Sequence, residues 1–317
     1  MSVDPKQIKV VVIAGGVGGA RMALGFLNRP EVDMTVVVNV GDDDWFHGLR
    51  VCPDLDTVLY TLAGVVNPKH GWGVDGDTTR SLSVLQKLEA PDTWMTLGDA
   101  DLGLHIYRST ALRAGGSLTE VMSLVAQKFG VKATLLPVTD EECPTLIKTT
   151  SGLLRFQEWF VRDRGQPAVK AVVTDSAKHA HVTAGVQSAI READVIVIAP
   201  SNPFLSIGPM LSVGNFRALL SECSAKRVAV SPLIGGKAVK GPLVKLLQDL
   251  EEPVSSEAIA ARYEGLIDAF VIDADEEPED DWRAGVPYQI VQMPTLMSDA
   301  DKSRELATRI CSLAEGL

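Results

Sequence analysis

A strand, a glycine-rich turn and a helix at the start of the chain restrict the fold most. Residues Ile8–Ala14 (IKVVVIA) are a continuous apolar run, rich in β-branched side chains, that ends at Gly15. Such a run is typical of a parallel strand buried on both faces, because a strand with one solvated face alternates apolar and polar residues. The glycine-rich residues 15–19 follow, and an apolar helix is predicted from about residue 20 to residue 27. This order indicates an α/β fold.

Strands and helices alternate along the rest of the chain. Short β-branched runs predict strands at residues 34–38, 134–138, 169–174, 195–200, 227–231 and 270–273. Apolar periodicity predicts helices at residues 81–88, 102–112, 118–129, 184–192, 216–223, 257–264 and 300–313. Residues 145–149 and 153–156 are predicted to form a hairpin. We therefore expect an α/β fold, a doubly wound, largely parallel Rossmann-like sheet with helical and hairpin insertions.

The chain contains no internal repeat and no linker long enough to divide it. We predict a single Rossmann-like domain over residues 1–317, with a helical and hairpin insertion at approximately 64–165. The acidic segment 273–282 (DADEEPEDDW) has no periodic pattern and is predicted to be a solvated surface loop.

The composition excludes several classes of protein. A formal net charge of −11 argues against binding to nucleic acid, whose phosphates are held mainly by clustered Lys and Arg. No run of about 18 uncharged apolar residues and no apolar signal segment is present, so neither a membrane span nor export is expected. The four cysteines are far apart in sequence, which favours neither a disulfide framework nor a zinc site and suits a reducing cytoplasm.

The glycines after the first strand are candidates for binding a phosphate or carboxylate. Because Gly15, Gly16, Gly18 and Gly19 carry no side chains, backbone N–H groups and the helix N-terminus can face an anion. Arg21 adds a positive charge just inside the helix. The spacing is not a clean G-x-G-x-x-G, and a tight strand-to-helix turn without a ligand is the alternative.

An acid-rich stretch follows the second predicted strand. It contains Asn39, Asp42, Asp43, Asp44, Asp54 and Asp56. Open α/β sheets bind ligands at the carboxyl ends of their strands, where this stretch begins. Hard cations such as Mg²⁺ use a few carboxylates and complete their coordination with water and substrate phosphates. The stretch therefore predicts a metal and phosphate centre.

These acids also have simpler explanations. Asp54 follows Pro53 at the start of a predicted helix, where it is a candidate N-cap. Asp56 lies in the first turn of that helix, where the helix dipole stabilises a carboxylate. A solvated acidic loop is a third alternative, which the bulky residues 45–47 disfavour.

Two segments between the acid-rich stretch and the hairpin carry further candidates. The glycine-rich residues 64–79 are predicted to form a surface loop over the site. A turn at residues 97–102 leads into a helix with Asp99 and His105 as candidate ligand contacts, although a single helical histidine is more often structural. Asp101 is most simply an N-cap.

Two later strands end in unusual loops. In APSNP at residues 199–203, Ser201 and Asn202 lie between prolines, and this rigid turn is a candidate for holding a nucleobase or ribose, with a plain connector as the alternative. SPLIGGKAVKGP at residues 231–242 is a second candidate phosphate-binding loop without Walker A spacing. Its candidate residues are Gly235, Gly236, Lys237 and Lys240.

Together the motifs resemble the 2-phospho-L-lactate transferase family of deazaflavin biosynthesis, over nearly the whole chain. The resemblance is carried by AGGVGGAR at residues 14–21, VVNVGDD at 37–43, CPDLDTVLYTLAG at 52–64, LGDADL at 97–102, HIYRS at 105–109, FQEWFV at 156–161, APSNP at 199–203 and SPLIGGKAVKGP at 231–242. Each motif alone is a weak signal, whereas several in order are specific.

The resemblance implies a reaction and its partners. A phospholactyl, phosphoenolpyruvyl or phosphoglyceryl group passes from its guanosine diphospho-activated form to a hydroxyl of the deazaflavin FO, which releases GMP and gives coenzyme F-420-0 or its dehydro form. The resemblance also implies Mg²⁺ held by Asp43 and Asp56, with Asp54 as a third candidate, in a cytoplasmic homodimer of EC 2.7.8 type. The donor stays open, as does which of Asp42, Asp43 and Asp44 faces the metal, because Asp44 is an additional acid relative to archaeal-type members.

We expect Mg²⁺ to neutralise the diphosphate while the two glycine loops hold its oxygens. Asp43 and Asp56 are the catalytic candidates, either as metal ligands or as the base that takes the hydroxyl proton. The substitution Asp56→Asn is expected to abolish turnover without unfolding the protein.

Two other classes of protein compete with this interpretation. One is a nucleotide-binding regulatory protein of the same superfamily without transferase activity. The aromatic residues in 156–160 favour the enzyme, because they can stack a deazaflavin ring. The other is a Rossmann dehydrogenase, which is disfavoured because no acid lies cleanly about 20 residues beyond a G-x-G-x-x-G motif.

Overall fold

The computed structural model describes residues 7–238 and 241–317, so Lys240 of the second glycine loop lies outside the described residues. The strands are β1 (Ile8–Ala14), β2 (Val32–Val38), β3 (Asp44–Phe46), β4 (Leu49–Val51), β5 (Thr134–Pro137), β6 (Leu146–Thr149), β7 (Gly152–Arg155), β8 (Val169–Val173), β9 (Val195–Ile198), β10 (Lys226–Val230), β11 (Leu233–Ile234), β12 (Lys237–Ala238), β13 (Ala269–Ile272) and β14 (Gln289–Gln292). The α-helices are α1 (Gly16–Phe26), α2 (Pro53–Leu62), α3 (Arg80–Lys87), α4 (Asp99–Arg113), α5 (Leu118–Lys128), α6 (Ala184–Glu192), α7 (Gly208–Leu211), α8 (Phe216–Glu222), α9 (Leu243–Asp249), α10 (Ser256–Ala261), α11 (Asp280–Gly285) and α12 (Ala300–Gly316). Two π-helical turns span Glu158–Arg162 and Pro203–Ile207, and a 3₁₀ turn spans Asp175–His179.

Seven strands within residues 7–238 and 241–317 form one sheet, in the order β5-β2-β1-β9-β10-β13-β14. Each neighbouring pair is parallel, and Ile13 of β1 pairs with Val37 on one side and Ile198 on the other. The strands β9 and β13 are buried along their whole length, as continuous apolar runs favour. The predicted α/β fold with a largely parallel sheet is confirmed.

The order of the strands reverses between β1 and β9. From β1 the sheet extends through β2 to β5, and from β9 it extends in the opposite direction through β10 and β13 to β14. Right-handed crossovers in opposite directions place their helices on opposite faces, so the sheet is doubly wound. Such sheets bind ligands in the crevice outside the carboxyl ends of the strands at the reversal. The turns that follow β1 and β9 both lie at this crevice.

Helix α1 packs closely against α2 and α12. A Cβ atom on Gly25 would lie 2.3 Å from the carbonyl oxygen of Ser303, so the absence of a side chain lets α1 and α12 approach. The buried side of α1 includes Met22 and Phe26, and burying a side chain of this size contributes roughly 1.5–3 kcal/mol. These contacts fix the helix whose first turn faces the crevice.

The predicted hairpin is present as β6 and β7, and a further strand extends it. β8 pairs antiparallel with β6, which gives a separate sheet in the order β7-β6-β8. Placing residues 169–174 among the parallel strands was therefore wrong. The strand β5, within the predicted insertion at approximately 64–165, is an edge strand of the central sheet. The division into one domain with an insertion stays a prediction.

Several local predictions also differ from the structure. Helix α1 begins at Gly16 rather than near residue 20, so most of the glycine run is helical. The strand β14 has no counterpart among the predicted strands. The segment 273–282 is not wholly a surface loop, because Trp282 of α11 is buried against Phe270. Within the part of the chain that the structure describes, no helix combines the length and apolarity needed to cross a membrane.

Candidate active site

A cavity of about 760 Å³ lies at the carboxyl ends of β1, β9 and β10, where the strand order reverses. Its volume is in the range of small-molecule sites. The lining includes Gly15, Gly16, Gly18 and Arg21; Asp42, Asp54 and Asp56; His70, Trp72 and His105; Phe156, Gln157 and Phe160; Ser201 and Asn202; and residues 295–297. The loop predicted to lie over the site, residues 64–79, therefore contributes to the cavity wall.

Ser201 joins the ends of β1 and β9. Its Oγ accepts a hydrogen bond from the Gly15 N–H at 3.1 Å and donates one to the Gly15 carbonyl at 2.8 Å. Asn202 caps the π-helical turn that follows, because its Oδ1 accepts hydrogen bonds from the N–H groups of Phe204 and Leu205 at 2.9 and 3.1 Å. Both polar side chains hold the turn at the cavity, and their contact with a nucleobase or ribose stays a prediction.

The first turn of α1 presents positive potential to the cavity. Gly16 and Gly18 line it, and α1 has no acidic residue in its own first turn, although the Gly16 N–H donates to Asp54 of α2. Gly19 is buried and lies so close to Ser201 that a side chain at this position would not fit. Arg21 donates to the Met297 carbonyl at 2.8 Å and has no carboxylate partner among the described residues. Its charge is available to an anion.

Asn39 organises the acid-rich stretch from beneath the cavity. Its fully buried Nδ2 donates to Asp42 Oδ1 at 3.3 Å, to Asp54 Oδ2 at 3.0 Å and to the Leu205 carbonyl at 3.3 Å. The Asp54 N–H donates to Asp42 Oδ2 at 3.2 Å. Asp42 and Asp54 are thereby held side by side at the cavity wall. The N-cap of α2 is Cys52, so the alternative explanation of Asp54 as an N-cap is wrong.

The pKa values of these two carboxyl groups are raised. Burial raises the pKa of Asp54 to about 6, although hydrogen bonds from Asn39, Ser206 and the Gly16 N–H act against the rise. Burial, together with the charges of Asp54 and Asp43, raises the pKa of Asp42 well above its usual range. Two buried carboxylates at close range repel each other, so this pair favours a proton or a cation.

Asp43 and Asp44 point to arginines instead. Asp43 Oδ2 forms a buried ion pair with Arg50 at 3.1 Å, and no described residue donates a hydrogen bond to its Oδ1. Burial raises the pKa of Asp43 to about 6, against the lowering effect of Arg50. Asp44 pairs with Arg155 at 3.2 Å. Neither aspartate is among the residues that line the cavity.

Asp56 lines the cavity but has both oxygens engaged. The fully buried Arg108 donates to both carboxylate oxygens, and its Nη1 lies 3.2 Å from Oδ2. His105 Nε2 also lies 3.2 Å from Oδ2. Burial acts to raise the pKa of Asp56, but Arg108 and His105 outweigh it and the pKa is lowered. Asp56 is therefore an ionised member of a buried charge network.

A comparison with known protein families identifies the family of this chain. Residues 10–311 match the family described as 2-phospho-L-lactate transferase CofD. The chain belongs to this family. A phosphoenolpyruvate transferase of Mycobacterium tuberculosis (strain ATCC 25618 / H37Rv) is 36% identical over 332 residues, covering 97% of this chain and 99% of the relative. A phosphoenolpyruvate transferase of Mycobacterium avium (strain 104) is 35% identical over 338 residues, with the same coverage of both chains.

Solved structures show the same fold. A crystal structure of a UPF0052 family protein from Bacillus halodurans has a TM-score of 0.64 with this chain at 16% sequence identity. It covers 97% of this chain and 100% of that protein. At this identity the similarity extends to the fold alone.

The acids of the acid-rich stretch in this CofD family member form three groups. Asp42 lies beside Asp54, Asp43 and Asp44 pair with arginines, and Asp56 pairs with Arg108. Among residues 7–238 and 241–317, no three His, Cys, Asp or Glu side chains are grouped to hold a metal ion. Asp43, Asp54 and Asp56, the predicted metal ligands, have different partners. Asp42 and Asp54 fit a hard cation, because two adjoining carboxylates with raised pKa values lie at the cavity and Mg²⁺ commonly takes its other ligands from water and phosphate. A role for Mg²⁺ stays a proposal.

Asp99 and the turn at Gly235, Gly236 and Lys237 lie away from the cavity lining, whereas Asp101 is part of it. Asp99 accepts hydrogen bonds from the Arg80 and Ser81 N–H groups at 3.1 and 2.9 Å, so it orders the loop before α3. Gly98 is the N-cap of α4, so assigning Asp101 as the N-cap was wrong. The remaining three, Gly235, Gly236 and Lys237, form the turn and second strand of the β11–β12 hairpin, where Lys237 is exposed.

Sequence reasoning did not single out Arg50, Arg108 or Gln157. His105 and Arg108 are three residues apart on α4, and this spacing places both side chains on one face of the helix. That pattern could have indicated a shared partner. Arg50 lies in β4 of a hairpin for which no strand was predicted, so its approach to Asp43 had no local signal.

We expect the free energy of unfolding to fall as the pH rises from about 4.5 to about 7. The folded-state pKa values of Asp43 and Asp54 are about 6, against an ordinary 3.8. In this range the folded protein keeps protons that the unfolded chain has released. The stabilisation from these two carboxyl groups is therefore complete below the unfolded-state pKa, and it is lost as the pH rises through the folded-state pKa. Asp56 acts oppositely, but its contribution is lost only at lower pH.

Urea unfolding at several pH values tests this expectation. The substitution Asp54→Asn removes one of the titrating groups and should reduce the slope. A free energy of unfolding that rises over the same range would contradict it.

Proposed function

We propose that this chain transfers a phospholactyl, phosphoenolpyruvyl or phosphoglyceryl group from its guanosine diphospho-activated form to FO. The reaction would release GMP and give coenzyme F-420-0 or its dehydro form. The observation that carries the proposal is one cavity at the strand reversal with anion-binding features on α1 and an aromatic surface at Phe156 and Phe160. A diphosphate donor requires the anion-binding features, and a planar acceptor requires the aromatic surface.

The α1 side of the cavity supports the diphosphate. Its helix N-terminus, the backbone at Gly18 and Arg21 favour negative charge, while the Gly16 N–H already donates to Asp54. Arg21 is held at a fixed place by its hydrogen bond to the Met297 carbonyl. These groups would orient the phosphate oxygens before transfer.

The aromatic side supports a flat ring. Phe156 and Phe160 are stacked, with ring centroids 5.6 Å apart and an interplanar angle of 8°. Trp72, on the loop over the site, is 52% exposed and also lines the cavity. Ring faces of this kind bind planar heteroaromatic groups by stacking.

In the proposed transfer, a hydroxyl oxygen of FO forms a bond to the phosphorus of the donor, and the bond from that phosphorus to GMP breaks. Asp42 and Asp54 would hold Mg²⁺, which when bound neutralises diphosphate charge. Asp54 lines the cavity with a raised pKa and would receive the hydroxyl proton, whereas Asp56, a base candidate from the sequence, is ion-paired with Arg108. Asp43, which forms an ion pair with Arg50 and does not line the cavity, would influence the site without contacting the substrate.

The relatives named phosphoenolpyruvate transferases favour a phosphoenolpyruvyl group as the one transferred. We also propose that the protein acts in the cytoplasm as a homodimer, which the family resemblance implies. Sedimentation velocity measures the oligomeric state directly, and a single monomeric species at enzyme assay concentrations would contradict the dimer.

Titration of FO fluorescence with the purified protein tests the proposed function. We expect saturable binding of FO, and release of GMP from the activated donor that requires both FO and Mg²⁺. Chelation of the metal should stop GMP release. Binding of a guanine nucleotide without binding of FO would overturn the transferase and support a nucleotide-binding regulatory protein.

A further inference from the structure

Gln157 occupies a position in the cavity wall that the proposed chemistry leaves unused. It precedes the π-helical turn Glu158–Arg162 and lies between the aromatic residues Phe156 and Phe160 in sequence. All three line the cavity, and Gln157 is only 4% exposed. A buried carboxamide at a ligand site needs a partner for each of its polar atoms.

One end of this carboxamide has its partner within the protein. Gln157 Nε2 donates to the Asp42 carbonyl at 3.2 Å. Because a carbonyl oxygen only accepts, this contact fixes which end of the planar group is nitrogen. The opposite atom, Oε1, accepts no hydrogen bond from any described residue, and the residue lines the cavity. Gln157 thus offers an oriented acceptor.

We propose that Gln157 Oε1 accepts a hydrogen bond from a ring N–H of the acceptor substrate and selects for that group. The inference rests on the proposed function and deepens it. The pyrimidinedione ring of a deazaflavin carries an imide N–H, and a ring stacked at Phe156 and Phe160 would present its edge to the neighbouring carboxamide. A site built to hydrogen-bond a polar group discriminates against an analogue that lacks it.

The same side chain also supports Asp42, so a loss of activity alone would not identify its role. Substitution of Gln157 removes both the acceptor for the ligand and the donor to the Asp42 carbonyl. A comparison of two ligands separates these effects. Methylation of the imide nitrogen of FO removes the proposed donor from the ligand without changing the protein.

The test measures the binding of FO and of imide-N-methyl FO to the wild type and to Gln157→Met. We expect the wild type to bind the methylated ligand roughly tenfold more weakly than FO, the factor for one lost hydrogen bond with a desolvated partner. Gln157→Met should bind FO more weakly by a similar factor and should not distinguish the two ligands. Gln127→Met, an exposed site on α5, is the matched control and should behave as the wild type.

The outcomes separate this inference from the proposed function. If the wild type binds FO and its methylated form equally, the assignment of Gln157 is overturned while the transferase proposal stands. If Gln157→Met still prefers FO by the wild-type factor, Gln157 acts only through Asp42, and the assignment is again overturned. If the wild type binds no FO, both proposals fail. Thermal unfolding of each variant confirms that the comparison is made on folded protein.

Discussion

Arg108→Met is expected to lower the free energy of unfolding by about 3 to 5 kcal/mol, a large share of the stability of an ordinary domain. Arg108 is fully buried and donates to both oxygens of Asp56 and to the Arg50 carbonyl. Its removal leaves the Asp56 carboxylate, which is only 5% exposed, with His105 as its remaining side-chain partner among the described residues. The cost comes from this unpaired charge. Chemical denaturation measures it.

A matched control separates the effect of burial on the free energy of unfolding from the effect of losing any arginine. Arg304 pairs with Asp301 on the surface of α12, where both side chains are largely exposed. Arg304→Met should change the free energy of unfolding by less than about 1 kcal/mol. The double variant Asp56→Asn with Arg108→Met should lose less than the two single losses together, because it removes both charges. A loss below about 1 kcal/mol for Arg108→Met would contradict a buried pair.

This network changes the expectation for Asp56→Asn. The sequence alone suggested a loss of turnover with an intact fold. The structure shows that Asp56 neutralises Arg108, so Asp56→Asn leaves a buried guanidinium without its counter-charge. A loss of activity in that variant would therefore combine a chemical and a structural effect. The stability of each Asp56 variant has to be measured beside its turnover.

The central sheet was predictable where burial on both faces left a strong local signal. Runs such as Ile8–Ala14 and Val195–Ile198 are continuous and β-branched, and the structure places them side by side in parallel. β14 (QIVQ) has polar ends and lies at the edge of the sheet, so its pattern is weak. β8 has an ordinary strand pattern, yet it pairs with a hairpin, because a local pattern does not encode the identity of the neighbouring strand.

The position of the cavity and of the polar residues beside it was predictable, but the pairing among those residues was not. Glycines after β1 and acids after β2 lie at the carboxyl edge in any parallel sheet, and the structure brings Gly15, Asp42 and Asp54 together there. Which aspartate faces the cavity depends on the turn after β2 and on distant partners. Asn39 donates a hydrogen bond to Asp42 beside the cavity, whereas an ion pair with Arg50 holds Asp43 away from the cavity lining. Such long-range contacts have no periodicity in the sequence.

Gly15→Ala is expected to lower kcat/KM for the transferase reaction by about 100-fold or more, the scale for small displacements of reacting groups. Gly15 has an extended backbone with φ of −160°, which any residue can adopt, so the effect is one of space. A Cβ atom there would lie 2.4 Å from Asp54 Oδ2 and 2.6 Å from Ser206 Cβ. Ser206 Cβ is attached to a π-helical turn, and Asp54 is held by Asn39. Relief of the overlap must therefore move the carboxylate pair or the turn after β9.

Gly103→Ala provides the matched control for this substitution. Gly103 is exposed within α4, and a Cβ atom there meets nothing within 4 Å. Alanine is the better helix former, so this variant should gain up to about 1 kcal/mol and keep its activity. For Gly15→Ala, comparable secondary structure by circular dichroism with a lowered kcat/KM would locate the damage at the site. Wild-type kcat/KM in Gly15→Ala would contradict the expectation, because the carboxylate pair and the turn after β9 would then tolerate the displacement without consequence.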